Sequence, residues 1–188
     1  MEGLVSLLDP EHDARVRALW SELETALGLH GVWETPYPHF SYQIAPQYDA
    51  PAIHAIAPAL AAAEPFEIRT GGLALFTLPV PVLYLPIVRT AALSAWHARL
   101  WHAALPAAQS PVPFYHPDRW VPHVTLAHGD LTPALAAEAV RLLAGREFNW
   151  TIRISNLSFI GLMGEAQTLL WQLPLQPPGP NITPPSAD

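Results

Sequence analysis

The sequence predicts an α+β fold that is bilobal and duplicated: two mainly antiparallel sheets with outer helices around a central cleft on a pseudo-two-fold axis. Three observations predict it. Segments alternating with period two take turns with segments of helical periodicity. A Pro-His-x-[Ser/Thr] tetrapeptide occurs twice, as Pro38-His39-Phe40-Ser41 and Pro122-His123-Val124-Thr125. Features around the two copies recur at one constant offset, the separation of His39 from His123.

Residues 3 to 8 read as a short apolar strand, and Asp9-Pro10 then supplies a helix N-cap followed by proline at the first helical position. Val16, Leu19, Trp20, Leu23 and Leu27 form one apolar helical stripe, which Gly28 ends. Residues 39 to 45 alternate as a strand, 50 to 63 are alanine-rich and helical, and 66 to 70, 73 to 77 and 82 to 88 read as strands. The order then repeats. A helix is expected over about 90 to 105, a strand over 121 to 127, a helix over 133 to 144, and strands over 148 to 154, 157 to 162 and 168 to 173. The stretch from 175 to 188 is proline-rich and reads as a disordered tail.

The doubling can be followed residue by residue. Ile68-Arg69 follows His39 at the same distance as Ile152-Arg153 follows His123, and Leu73 with Leu157 and Phe76 with Ile160 keep the offset of the two histidines. Residues 1 to 174 are therefore expected to form a single domain with lobes of roughly 3 to 79 and 82 to 174, with exchange of strands between them left open. Each lobe alone would leave one apolar sheet face bare, so the two are expected to pack about a common axis that brings equivalent residues together.

Composition narrows the function. The 188 residues are 51% apolar and 13% charged, with a mean hydropathy of +0.19, which excludes a disordered polar chain. Nine arginines, no lysine and sixteen acids give a net charge of −7, which argues against a long duplex as partner, because affinity for one rests on many basic contacts. A short or end-held nucleic acid stays compatible. The absence of cysteine removes disulfides, thiolate metal sites and thiol nucleophiles. The sequence holds neither a basic leader nor an uninterrupted apolar run long enough to span a bilayer, so the expected address is the cytoplasm, with no membrane partner and a monomeric state. Asn149-Trp150-Thr151 and Asn181-Ile182-Thr183 match glycosylation acceptors, which without a leader is coincidence.

In a strand, His39 and Ser41 point to one face while Phe40, Tyr42 and Ile44 point to the other, and His123 and Thr125 are likewise opposed to Val124 and Leu126. The face carrying the imidazole and the hydroxyl is expected to continue through Gln43 and Ala45, or Ala127, and to line the cleft. Nine histidines would give about one H-x-[ST] by chance, but two copies preceded by proline and in register within a duplication exceed that expectation.

These motifs resemble those of the two-histidine (2H) phosphoesterase superfamily, which includes the 2′-5′ RNA ligase-like proteins and the cyclic phosphodiesterases of RNA ends. The resemblance covers nearly the whole chain to about residue 174. Its hallmark, H-x-[ST]-x with a hydrophobic position, is seen in His39-Phe40-Ser41-Tyr42 and His123-Val124-Thr125-Leu126, the first copy carrying serine and tyrosine where threonine and an aliphatic residue are commoner. Leu73-Ala74-Leu75-Phe76 followed by Val82-Leu83-Tyr84-Leu85 is similar to the family's central hairpin.

The resemblance implies a metal-independent phosphodiesterase for 2′,3′-cyclic phosphates or 2′-5′ linkages of nucleotides or short RNA ends, with 2′-5′ ligation as the reverse reaction and no cofactor. His39 and His123 would be the acid and base in an order left open, and Ser41 and Thr125 would donate to the non-bridging phosphate oxygens. The rival reading is a non-catalytic module that binds a nucleotide or RNA end in the same cleft.

Other residues admit two readings. Arg119 lies in the approach to His123, within reach of a phosphate. Trp33, Tyr37, Tyr115 and Trp120 flank the motifs, where a ring either stacks a base or packs in the core. Arg69 and Arg153 alternate with apolar residues, the pattern of a solvent-facing charge. For a metal, His97 and His102 are five apart on a helix, and His123 and His128 are expected on opposite faces of one strand, with only Asp118 and Asp130 near; no metal site is expected.

Overall fold

Asp9 caps the first helix as its sequence implies, its carboxylate accepting the His12 backbone N–H at 2.9 Å. That helix, α1 (Pro10–Leu27), follows strand β1 (Glu2–Leu7) and ends at Gly28, whose φ of 72° is the left-handed conformation that closes a helix without a Cβ clash. The chain continues through β2 (His39–Ala45), β3 (Gln47–Tyr48), α2 (Ala50–Ala61), β4 (Phe66–Arg69), β5 (Ala74–Phe76), β6 (Val82–Pro86) and α3 (Ala91–Ala104). After β7 (Ala108–Gln109) come β8 (His123–Ala127), α4 (Pro133–Leu143), β9 (Thr151–Ile154), β10 (Asn156–Met163) and β11 (Ala166–Pro174). Asp49, Thr90 and Thr132 cap the other three helices in the same way as Asp9. The architecture is α+β, with four α-helices and antiparallel sheets among the residues that this computed structural model describes, 1–77, 79–163 and 166–177.

Among the described residues the sheets number four rather than the expected two. The larger ones have strand orders β11-β10-β1-β2 and β5-β6-β8, and two short ribbons pair β3 with β7 and β4 with β9. The first sheet thus joins strands from both ends of the chain. Leu4 of β1 faces Phe159 of β10, and Leu83 of β6 faces Leu75 of β5; Leu75 and Phe159 are separated in sequence just as His39 and His123 are. In the β4–β9 ribbon Ile68 pairs with Ile152, another two residues related by that offset. Leu175 is buried and its N–H reaches the Ser155 carbonyl, so the chain is placed beyond Pro174. The rest of the expected proline-rich tail, 178–188, and with it Asn181, lies outside the described residues.

Both motif strands are bulged. The β1–β2 ladder passes from Leu4 opposite Gln43 to Val5 opposite Ser41, leaving Tyr42 as an extra residue. The β6–β8 ladder passes from Leu83 opposite Ala127 to Tyr84 opposite Thr125, leaving Leu126 extra. Tyr42 and Leu126 hold equivalent places in the repeat, each the third residue after its motif histidine. Each bulge resets the alternation of its strand and corrects what simple period-two counting predicts. Gln43 does not continue the cleft face; it is buried, donating to the Trp101 carbonyl at 3.2 Å and accepting from the Tyr48 hydroxyl at 3.1 Å. Ala45 and Ala127 are buried too.

The strands β2 and β8 are the end strands of the two larger sheets and lie side by side without pairing. From α3, His97 reaches β2, fully buried and stacked flat on Trp120, with ring centroids 3.7 Å apart and 6° between planes. Its Nε2–H donates to the carbonyl of the bulged Tyr42 at 2.9 Å. Burial depresses the pKa of His97 to about 4, against the opposing effect of that hydrogen bond. The unfolded chain therefore takes up this proton first as pH falls, and stability is lost from about pH 6.5 down to about pH 4. Thermal melts of His97→Gln are expected to lose this part of the pH dependence, about 2 kcal/mol between pH 7 and pH 4.5. A variant with an unchanged pH slope would contradict the assignment.

Candidate active site

The two motif histidines are held alike. His39 Nδ1 lies 2.5 Å from the Tyr37 carbonyl, and His123 Nδ1 lies 2.7 Å from the Val121 carbonyl, each two residues upstream. A carbonyl oxygen only accepts, so each Nδ1 carries a proton, and in the neutral ring Nε2 is the bare nitrogen available to a ligand. The prolines between, Pro38 and Pro122, are buried and restrict the preceding residue to extended backbone, which suits this short return of the ring onto its own chain.

Both imidazoles line one cavity of about 510 Å³, together with Ser41, Thr125, Trp20, Ile44 and His128. The four motif side chains are thus brought to one space. His128 is a correction to the sequence reading: the Leu126 bulge turns it to the same cavity as His123 rather than to the opposite face of the strand. Ile44 enters in the same way, past the Tyr42 bulge. Burial lowers the pKa of His39 to about 4; the Tyr37 hydrogen bond opposes this, and the nearby His123 and His128 add to it. Burial also lowers that of His123, whose ring stands against Phe76 and Tyr84, each with centroids 5.1 Å away. Both rings are therefore neutral near pH 7 in the free protein.

A second, more apolar cavity of about 400 Å³ adjoins the first at His123, Ile44, Val82 and Tyr115, and is walled by Phe76, Val112, Phe114 and Val121. Arg119 is exposed on its wall, and its guanidinium forms no ion pair among the described residues. Other expected contributors are placed differently. Tyr37 lines neither cavity and acts through its carbonyl. Trp120 lies in the wall of the second cavity but is only 2% exposed, with one face stacked against His97. Arg69 and Arg153 are exposed on the β4–β9 ribbon, away from both cavities. Among the described residues no group of three His, Cys, Asp or Glu side chains comes together as metal ligands do.

Sequence reasoning also misses what holds the motif strands. The Trp120 indole N–H donates to the Ser41 carbonyl at 2.8 Å, and the Trp20 indole N–H donates to the Thr125 carbonyl at 3.0 Å. Arg17 donates to the Pro36 carbonyl at 2.7 Å, and Arg89 to the Trp120 carbonyl at 3.1 Å, so each loop is pinned three residues before its motif histidine. The loop carrying His128 is pinned as well. Asp130 accepts the His30 and Gly31 backbone N–H groups at 2.7 and 2.9 Å, and a Cβ on Gly31 would stand 2.3 Å from the His128 carbonyl. Gly31→Ala is therefore expected to push this loop away and cost about 1–3 kcal/mol, read as a lowered denaturant midpoint; an unchanged midpoint would show that the contact yields freely.

Two bare ring nitrogens and two hydroxyls facing one space can take a proton, give a proton and donate to an anion. Comparison with known proteins fits this chemistry. The sequence profile of the 2′-5′ RNA ligase superfamily matches residues 8–164. No curated protein matches the chain significantly. Among solved structures, TT0787 of Thermus thermophilus is 16% identical, with a TM-score of 0.62 over 94% of this chain and 98% of that one, a likeness of fold.

Proposed function

Because the chain belongs to the 2′-5′ RNA ligase superfamily of 2H phosphoesterases, we propose that it is a metal-independent phosphodiesterase acting on 2′,3′-cyclic phosphates or 2′-5′ linkages of nucleotides or short RNA ends. The observation that carries this reading is the identical tethering of His39 and His123, which leaves two Nε2 atoms for the cavity that Ser41 and Thr125 share. In an in-line displacement at phosphorus, one Nε2 takes the proton of the attacking water as its oxygen bonds to phosphorus. The other imidazole, protonated, gives its proton to the ribose oxygen as the P–O bond breaks. The Ser41 and Thr125 hydroxyls donate to the non-bridging oxygens as their charge grows.

The same reading takes the fold as one unit used twice about a pseudo-two-fold axis, with β5 and β10 each exchanged into the other half's sheet. The coincident bulges, the equal ladder registers and the Ile68–Ile152 pairing support it. Such an axis places equivalent groups on opposite sides of one phosphorus atom. The apolar cavity beside His123 suits a nucleoside, with Arg119 on its wall for a further phosphate. An acidic chain with so few cations suits a small substrate or an RNA end.

The test is direct. Purified protein given a 2′,3′-cyclic mononucleotide, and separately a 2′-5′ dinucleotide, in the presence of a chelator is expected to release the corresponding monophosphate or nucleoside products. His39→Ala and His123→Ala are each expected to lose about 10²- to 10⁴-fold in kcat, and Ser41→Ala or Thr125→Ala about 10²-fold. Loss of turnover on chelation, or full activity in either histidine variant, would refute the reading; tight binding without turnover would mark a binding module instead.

The depressed histidines add a pH signature. With both free-enzyme values below the ordinary 6.5, the kcat/KM profile is expected to be a bell centred on the acidic side of pH 6.5. A bound phosphate favours the charged imidazole, so the alkaline limb of kcat should lie at higher pH than that of kcat/KM. A kcat/KM maximum above pH 7 would contradict this account.

A further inference from the structure

We propose that Trp20 and Trp120 are positioning residues that hold the two motif strands apart and aligned across the cleft, each gripping the strand that bears the other half's hydroxyl. Trp20 stands on α1, ahead of the first motif, yet its indole N–H takes the Thr125 carbonyl of β8. Trp120 stands three residues before the second motif histidine, yet its indole N–H takes the Ser41 carbonyl of β2. The two carbonyls belong to equivalent residues of the repeat, and each adjoins the bulged residue of its strand.

Holding those carbonyls has consequences for the strands. β2 and β8 are edge strands lying side by side, and two free edges close to each other tend to pair into one sheet at a spacing of about 4.8 Å. Here four of the carbonyls along these strands are already taken by other donors. Trp120 holds Ser41 O, His97 holds Tyr42 O, the Val112 N–H holds Ile44 O at 2.8 Å, and Trp20 holds Thr125 O. Both tryptophans are buried, which shields these bonds from water. Each also has an arginine over its ring, Arg17 on Trp20 and Arg89 on Trp120 at 6.0 Å from the ring centroid, and the same two arginines pin the loops before the motif histidines. The carbonyl held belongs to the very residue whose hydroxyl is offered to the phosphate, so the bond fixes where that hydroxyl stands. Loss of the N–H is then felt in the transition state more than in ground-state binding.

The experiment compares three tryptophan-to-phenylalanine variants of the full chain, each losing one indole N–H while keeping an aromatic ring. Trp20→Phe and Trp120→Phe remove the proposed spacers. Trp150→Phe removes a similar bond, from its indole to the Glu147 carbonyl at 3.1 Å, in a part of the core away from the cleft. All three should lower Tm by roughly 2–8 °C. Trp20→Phe and Trp120→Phe should lose about tenfold in kcat with KM within twofold, whereas Trp150→Phe keeps its kcat.

A readout that needs no turnover is the displacement of the His39 and His123 ring resonances by inorganic phosphate. Wild type and Trp150→Phe should show both rings responding with one dissociation constant, and the two spacer variants should lose the joint response. Spacer variants that keep kcat within twofold and titrate like wild type, or a Trp150→Phe that falls equally, would overturn the inference while leaving the proposed function standing. A wild type that neither turns over a phosphodiester nor responds to phosphate would overturn both.

Discussion

The site depends on two indole–carbonyl hydrogen bonds exchanged crosswise, Trp20 to Thr125 and Trp120 to Ser41. Catalytic use of two histidines across one phosphorus needs strands that are close but not paired, and an unpaired edge is an unstable thing in a protein core. A strand edge buried without partners would cost about 1–3 kcal/mol for every orphaned carbonyl. Supplying side-chain donors satisfies those groups and at the same time bars the strands from joining. The bulges at Tyr42 and Leu126 belong to the same solution, because they take the carbonyls out of the regular ladder and turn Ile44 and His128 into the cavity.

The electrostatics follow from the same enclosure. A ring tied by Nδ1 to a backbone carbonyl is held in one tautomer, so the fold decides which nitrogen can meet a substrate. Burial keeps both rings uncharged in the free protein, and around His39 the neighbouring imidazoles of His123 and His128 discourage charging further. On the proposed function an anionic phosphate would reverse that balance, so the charged acid would form where and when a substrate is present. On the proposed reading this is how a chain with a net charge of −7 concentrates positive charge at one point without a basic surface.

Much of this is legible in the sequence, and the exceptions have physical causes. His39, Ser41, His123 and Thr125 stand out because their residue types, the prolines before them and their constant offset coincide. The helices are readable from Asp9-Pro10, the Trp20 stripe and Gly28, where local chemistry agrees with the tertiary outcome. The bulges are not, since an inserted residue leaves no signature in an alternating pattern; counting through them misplaces Gln43 and His128. Trp20 reads only as core because apolar periodicity says nothing of its N–H. Trp120 sits near the motif in sequence, which makes it a candidate for stacking, whereas its partner is a backbone carbonyl 79 residues away. Arg89 carries no motif at all; its role is visible only once α3 and the loop before β8 are seen together.

The most direct test of the central claim is a crystal structure of the chain with a nucleoside monophosphate product, grown at mildly acidic pH. One phosphate group is expected within hydrogen-bond distance of Nε2 of both His39 and His123 and of the hydroxyls of Ser41 and Thr125, with the Trp20 and Trp120 bonds intact. A phosphate that touches one histidine alone, or β2 and β8 closed into a continuous sheet, would contradict it.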